Sequence, residues 1–131
     1  MNIIIAGGRD FKDNDLLVST LDNFIFNNNI DLEKLKIIAG EATGADELGR
    51  KYAKDHNIDL KEFNAPWATM GNKAGPFRNK LMADYAVKYK DEGEEAILFA
   101  FWNGVSAGTK NMIYQAEKHN MKVNIINYWG G

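Results

Sequence analysis

The chain has 131 residues, 45% hydrophobic and 26% charged, with no cysteine and with 16 basic against 18 acidic side chains. These values fit one globular domain with a sizeable core, and they exclude disulfides, thiolate metal sites and a cysteine nucleophile. A formal charge of −2 leaves no broad electrostatic footprint for DNA or RNA.

Asn2–Ala6 is short, β-branched and apolar, so it reads as a buried strand rather than a signal peptide. It runs into Gly7-Gly8-Arg9-Asp10-Phe11. Asp13 is placed to cap a helix whose inner face is Leu17, Leu21, Phe24 and Ile25, closed by Asn27-Asn28-Asn29. Leu35–Ala39 is a second strand, emptying into Gly40-Glu41-Ala42-Thr43-Gly44-Ala45-Asp46. A helix with Leu48, Tyr52 and Ala53 inward then ends near His56, and Ile58–Phe63 alternates as a strand nearer the sheet edge.

Residues 64–75, with Pro66, Trp67, Gly71 and Gly75, form the longest irregular stretch, of the kind that is usually functional. Pro76 suits a first helical turn, and Phe77, Leu81 and Tyr85 mark the face of the helix that follows. Lys88–Glu95 reads as a charged, solvated connection. The continuous apolar run Ala96–Trp102 has the length of a strand buried on both faces. It breaks at Asn103-Gly104-Val105-Ser106-Ala107-Gly108-Thr109 and resumes as a helix with Met112, Ile113 and Ala116 inward. Met121–Ile126 supplies a closing strand, on which the tail 128–131 is expected to dock.

Strict alternation of strand and helix predicts an α/β Rossmann-like three-layer fold: five parallel strands, covered on both faces, in the order 3-2-1-4-5. The whole chain, 1–131, is expected to be one domain. Ligands in such sheets bind beyond the carboxyl ends of the strands where the order reverses. That geometry brings Gly7, Gly8 and Arg9 beside Gly104, Ser106, Gly108 and Thr109, with the 64–79 stretch closing over them.

A strand that empties through a glycine loop into a helix start is an anion site, because the first helical N–H groups have no internal partner. The chain has neither a GxGxxG after its first strand nor a GxxxxGK[ST] anywhere, which disfavours an ordinary dinucleotide fingerprint or a P-loop ATPase. Only three arginines occur, and Arg9 and Arg78 both fall in these loops. A guanidinium suits phosphate, and pairing with an acid such as Asp10 or Asp84 is the plainer alternative. Asp10, Glu41 and Asp46 are the candidate carboxylates, Glu41 and Asp46 for ribose hydroxyls or for general-base work, and an Asp three residues after a Thr in such a turn more often caps or ties the loop. Trp67 and Trp102 offer faces for base stacking, or for packing. His56 and His119 fall at helix ends, where the dipole suffices to explain them. No metal site, bound cofactor, membrane association or nucleic-acid partner is expected, and a cytoplasmic location is.

Taken together, Ala6-Gly7-Gly8-Arg9-Asp10-Phe11, Gly40 to Asp46, Ala65-Pro66-Trp67, Ala74-Gly75-Pro76-Phe77-Arg78-Asn79-Lys80-Leu81-Met82 and Ala100 to Thr109 resemble the YspA group, the YpsA-related branch of the SLOG superfamily. The superfamily includes cytokinin-activating phosphoribohydrolases, the DNA-processing protein DprA and nucleotide-signal sensors of bacterial defence. The resemblance implies a Rossmann-like fold and a nucleotide or nucleotide-derived ligand, with Asn79 added to the binding residues. It also implies a homodimer with helices packed beside the site. The phosphoribohydrolases carry a PGGxGTxxE loop whose Glu works with an Arg on the preceding helix. Here Gly108-Thr109 matches the GT and Arg78 the arginine, but Met112 stands at the position of the Glu. The expectation is therefore a binder of a nucleotide-derived signalling molecule, ADP-ribose-like or a cyclic nucleotide, acting as a sensor or a sequestering protein. The alternative is a hydrolase of the N-glycosidic bond of a nucleoside 5'-monophosphate or an ADP-ribose-like molecule, with Glu41 or Asp46 as its carboxylate.

Overall fold

The apolar runs become the strands β1 (Asn2–Gly7), β2 (Lys36–Gly40), β3 (Asp59–Phe63), β4 (Ala96–Trp102) and β5 (Lys122–Asn127). A computed structural model of the chain describes residues 1–89 and 95–128. All five strands pair in parallel in the order β3-β2-β1-β4-β5, as the alternation predicts. The central strands are sealed on both faces, whereas β3 and β5 alternate between half-buried and exposed positions, as edge strands do.

Because successive strand side chains point to opposite faces, the sheet builds two cores. Ile3, aligned with Ile37 and Ile97, faces one way with Ile5, Phe99 and Phe101. Helices α1 (Asn14–Asn27) and α2 (Ala45–Asp55) cover that face with Leu17, Leu21, Tyr52 and Ala53. Ile4, aligned with Ile38 and Leu98, faces the other way with Ala6 and Ala100. There α4 (Ala74–Lys88) and α5 (Ala107–Lys118) pack Met82, Ala83, Ala86, Met112, Ile113 and Ala116 onto it.

Local chemistry sets the helix starts. The Asp13 carboxylate accepts from the Leu16 amide at 3.0 Å and caps α1. Gly44 opens α2 at φ +78°, against the backbone of Gly8 and Arg9, where a side chain would collide with the Gly8 carbonyl. The Ala45 amide donates to that same carbonyl at 3.1 Å, so the loops after β1 and β2 are stitched together.

Two readings of the sequence are corrected. Residues 64–75 are not an irregular loop: only 64–66 lie outside a helix. Helix α3 (Trp67–Met70) starts on the Pro66 carbonyl, which accepts from Thr69 and Met70, and a 3₁₀ turn (Gly71–Lys73) leads straight into α4. Proline and glycine here mark helix boundaries rather than a loop. The inner face of α4 is Ala74, Asn79, Met82, Ala83 and Ala86, while Phe77 and Leu81 are 41% and 36% exposed. The α4 side chains that meet Ala6 and Ala100 in that core are Met82, Ala83 and Ala86.

Of the connection 88–95, residues 90–94 lie outside the described residues, as do 129–131 of the tail. Tyr128 does dock. Its amide donates to the Trp102 carbonyl at 3.1 Å, its ring meets Phe11 edge-on at 4.8 Å, and its hydroxyl donates to Asp10 at 2.6 Å. No helix among the described residues is long and apolar enough to cross a membrane.

The junction of β1 with its loop has no slack. A Cβ on Gly7 would collide with the Phe101 carbonyl and lie 2.7 Å from the Ala45 Cβ. That carbonyl is already held by the Gly8 amide at 3.2 Å. Gly7→Ala should therefore cost about 1–3 kcal/mol of stability, as overpacking does. Urea denaturation would show it as a lower midpoint at an unchanged slope.

Candidate functional site

A cavity of about 610 Å³ opens beyond the carboxyl ends of β1 and β4, where the strand order reverses. Ala6, Gly7 and Met112 line its depth, the first turn of α5 one wall, and Arg78 and Asn79 of α4 the other. Arg9, Asp46 and Trp67 also line it. Its volume lies within the roughly 300–1,000 Å³ of small-molecule sites.

The α5 wall is built by short-range hydrogen bonds. Asn103 Oδ1 accepts from the amides of Val105 at 2.9 Å and Ser106 at 2.8 Å, turning the chain after β4. Ser106 Oγ then caps the helix, accepting from the Thr109 amide at 3.5 Å and the Thr109 hydroxyl at 3.3 Å. The first helical bond runs from Lys110 N to the Ser106 carbonyl, so the amides of Ala107 and Gly108 are the helix's donors without an internal acceptor. A Cβ on Gly108 would meet nothing within 4 Å. The Trp102 indole donates to the Ser106 carbonyl at 3.1 Å and its ring packs on the α4–α5 core, so it braces the turn.

The opposite wall is ionic. Asp46, 4% exposed, pairs with Arg78 at 3.7 Å and accepts from the Ala42 amide at 3.3 Å. Gly40 makes the room: a Cβ there would lie 2.6 Å from both Arg78 Nη1 and Asp46 Oδ2. Burial pushes the proton affinity of Asp46 above the usual carboxylate range. Arg78, the Ala42 amide, Arg50 and Arg9 pull it back without reversing the shift. The buried Arg78 Nε has no hydrogen-bond partner among the described residues, and Arg78 Nη2 reaches Asn79 Oδ1 only at 3.4 Å. The Asn79 amide donates to the Gly108 carbonyl at 3.2 Å and to Asn111 at 3.1 Å, tying α4 to the start of α5.

Arg9 is exposed and lies over the Trp67 ring at 5.7 Å, so the alternative of an Arg9–Asp10 pair gives way to a cation–π contact. Asp10 instead accepts from Tyr128, whose hydroxyl covers Gly8. The closeness of Gly7, Gly8 and Gly44 thus serves protein neighbours rather than open ligand space. Two candidates stand apart from the cavity. Glu41 is exposed in a neighbouring hollow of about 290 Å³, and Gly104 sits in the turn at φ +88° outside the cavity lining. The histidines are remote from it: His56 stacks on Tyr52 at 4.0 Å, and His119 bridges the Gln115 carbonyl and Asp84. Among the described residues no group of three or more His, Asp or Glu could hold a metal ion.

The family model of the YspA, cpYpsA-related SLOG family matches residues 1–69, more than half of the 131. The chain belongs to that family. No curated protein matches it. Membership associates the chain with nucleotide-related binding or glycosidase-type function. The matched SLOG segment supplies Gly7 to Arg9, Glu41, Asp46 and Trp67, while Arg78, Asn79 and the α5 turn come from the remainder of the chain.

Sequence reasoning passed over Arg50, Asn103 and Tyr128. Arg50 donates to the carbonyls of Gly40 at 2.6 Å and Ala42 at 3.1 Å, fixing the loop that presents the Ala42 amide to Asp46. Its signal was present: an arginine four residues after Asp46 shares its helix face. Tyr128 carried no such signal, because its partner is 118 residues away.

The raised proton affinity of Asp46 has a definite sign. The fold favours the protonated acid, so its contribution to stability is full below the ordinary carboxylate value of 3.8 and is lost as pH rises through the higher folded value. The stability of the native protein relative to Asp46→Asn should fall across that window in urea titrations between about pH 4 and 8. A relative stability that instead rises with pH would mean that Arg78 outweighs burial.

Proposed function

We propose that this protein binds a nucleotide-derived signalling molecule in the 610 Å³ cavity, as a sensor or a sequestering protein. The observation that carries the reading is that the incompletely paired Arg78 and the free amides of the α5 start line one space. A guanidinium that lines the cavity beside helix-terminal donors is matched by a phosphate, which accepts from both. Trp67, 48% exposed at the same cavity, offers a face to a base.

Chemistry at the sugar is the second reading, and Asp46 favours it, being a carboxylate inside the cavity. Cleavage of an N-glycosidic bond develops positive charge on the ribosyl carbon and needs an ionised carboxylate beneath it. Asp46 is committed to Arg78 and the Ala42 amide. Met112, buried at 1% exposure, contributes only a neutral thioether. Both features support binding over turnover.

Gly108→Val tests the binding surface without disturbing the ion pair, since its Cβ position is open. The variant should melt within a degree or two of the native protein, while its affinity for AMP by calorimetry falls at least about tenfold, or 1.4 kcal/mol. Unaltered AMP affinity would move the phosphate away from α5.

Incubation with AMP or ADP-ribose, followed by chromatography, should show no rapid release of free base. Rapid release that disappears in Asp46→Asn or Glu41→Gln, with ligand still bound, would establish the hydrolase instead.

A further inference from the structure

Arg9 and Asp10 are neighbours in the chain, carry opposite charges and both line the main cavity, yet they do not pair. Asp10 Oδ1 instead accepts from the Tyr128 hydroxyl at 2.6 Å. Beyond its contact with Trp67, the Arg9 side chain makes no ion pair or hydrogen bond among the described residues. Tyr128 is fixed by more than its hydroxyl. Its amide extends the pairing of β5 with β4 through the Trp102 carbonyl, and its ring packs edge-on against Phe11, which in turn meets Phe101 at 4.9 Å. Burial, and after it the Asp10 carboxylate, pushes the proton affinity of the phenol well up, so it stays a donor across the neutral range.

We infer that Tyr128 is a positioning residue of the site: by holding the Asp10 carboxylate, it keeps the Arg9 guanidinium free for the anionic group of a ligand. The assignment rests on the binding reading above and adds what keeps one of the site's cations available. Two partners compete for one carboxylate. The phenol is already ordered by its ring and its amide, so its bond to Asp10 costs little further side-chain entropy. An Arg9–Asp10 pair would have to immobilise a long, exposed side chain, and such pairs are worth little in water. Arg78 cannot stand in for Arg9, because it is paired with Asp46 at 3.7 Å in the same cavity. A carboxylate released from Tyr128 would lie next to the one unpaired guanidinium of the lining and compete with the ligand for it.

Tyr128→Phe removes the hydroxyl and keeps the ring on Phe11, so the variant should melt within a few degrees of the native protein. Calorimetric titration of the full chain should show AMP bound about three- to fivefold more weakly, the factor carried by an exposed ion pair. Affinity for adenosine, which lacks the phosphate, should not change. Adding Asp10→Asn should restore AMP affinity to that of Asp10→Asn alone, because a neutral amide no longer competes for Arg9. In an Arg9→Ala background, Tyr128→Phe should have no further effect. Unaltered AMP affinity in Tyr128→Phe, or a loss that adenosine shares and Asp10→Asn does not repair, would reduce Tyr128 to a packing residue and leave the binding reading standing. A native protein that binds neither AMP nor adenosine would overturn the binding reading and this assignment together.

Discussion

The ion pair between Asp46 and Arg78 spans the sheet. Asp46 stands on α2, which covers one face, and Arg78 on α4, which covers the other; the two meet over the end of β2, where Gly40 leaves them room. At 5% and 16% side-chain exposure the charges lose most of their hydration, so the pair adds little net stability. Its consequence is geometric. It ties α2 to α4 across the carboxyl edge of the sheet, beside the cavity that both residues line.

Around that pair the walls are held by bonds that leave little freedom. Arg50 anchors the β2 loop by its carbonyls, and Asn79 ties α4 to α5. The Gly8 carbonyl binds the start of α2. Each tie joins a different pair of elements, so the walls of the cavity are fixed by the fold itself. A preformed space with unsatisfied donors loses less entropy on binding than a loop that must fold around its ligand. The exposed Arg9–Trp67 stack is the least constrained part of the lining, since neither side chain is buried.

The same constraints bear on chemistry. A carboxylate that must stabilise a developing cation works best ionised and unencumbered, whereas Asp46 is desolvated and shared between a guanidinium and an amide. Glu41 is unencumbered, yet it lines the neighbouring hollow rather than the cavity. The two carboxylates thus have different environments although they stand only five positions apart, because Asp46 belongs to the first turn of α2 and Glu41 precedes it in the open loop.

Much of the fold was legible in the sequence. The β-branched runs, the apolar stretch Ala96–Trp102, the Asp13 and Ser106 caps and the strict alternation determine a parallel sheet and its order, because periodicity and capping act over a few residues. The grouping of Gly7, Arg9, Arg78 and Thr109 around one crevice follows from that order alone. Tertiary structure decided what the local signals leave open. Phe77 and Leu81 carry the apolar pattern of α4 but face outward, because the helix turns Asn79, Met82, Ala83 and Ala86 onto the sheet instead. Arg78 meets Asp46 rather than Asp84, and Tyr128 closes over Gly8, through contacts between residues 32 and 118 positions apart in the chain. Such partners are set by how the layers pack, and no periodicity within one element encodes the distance between two.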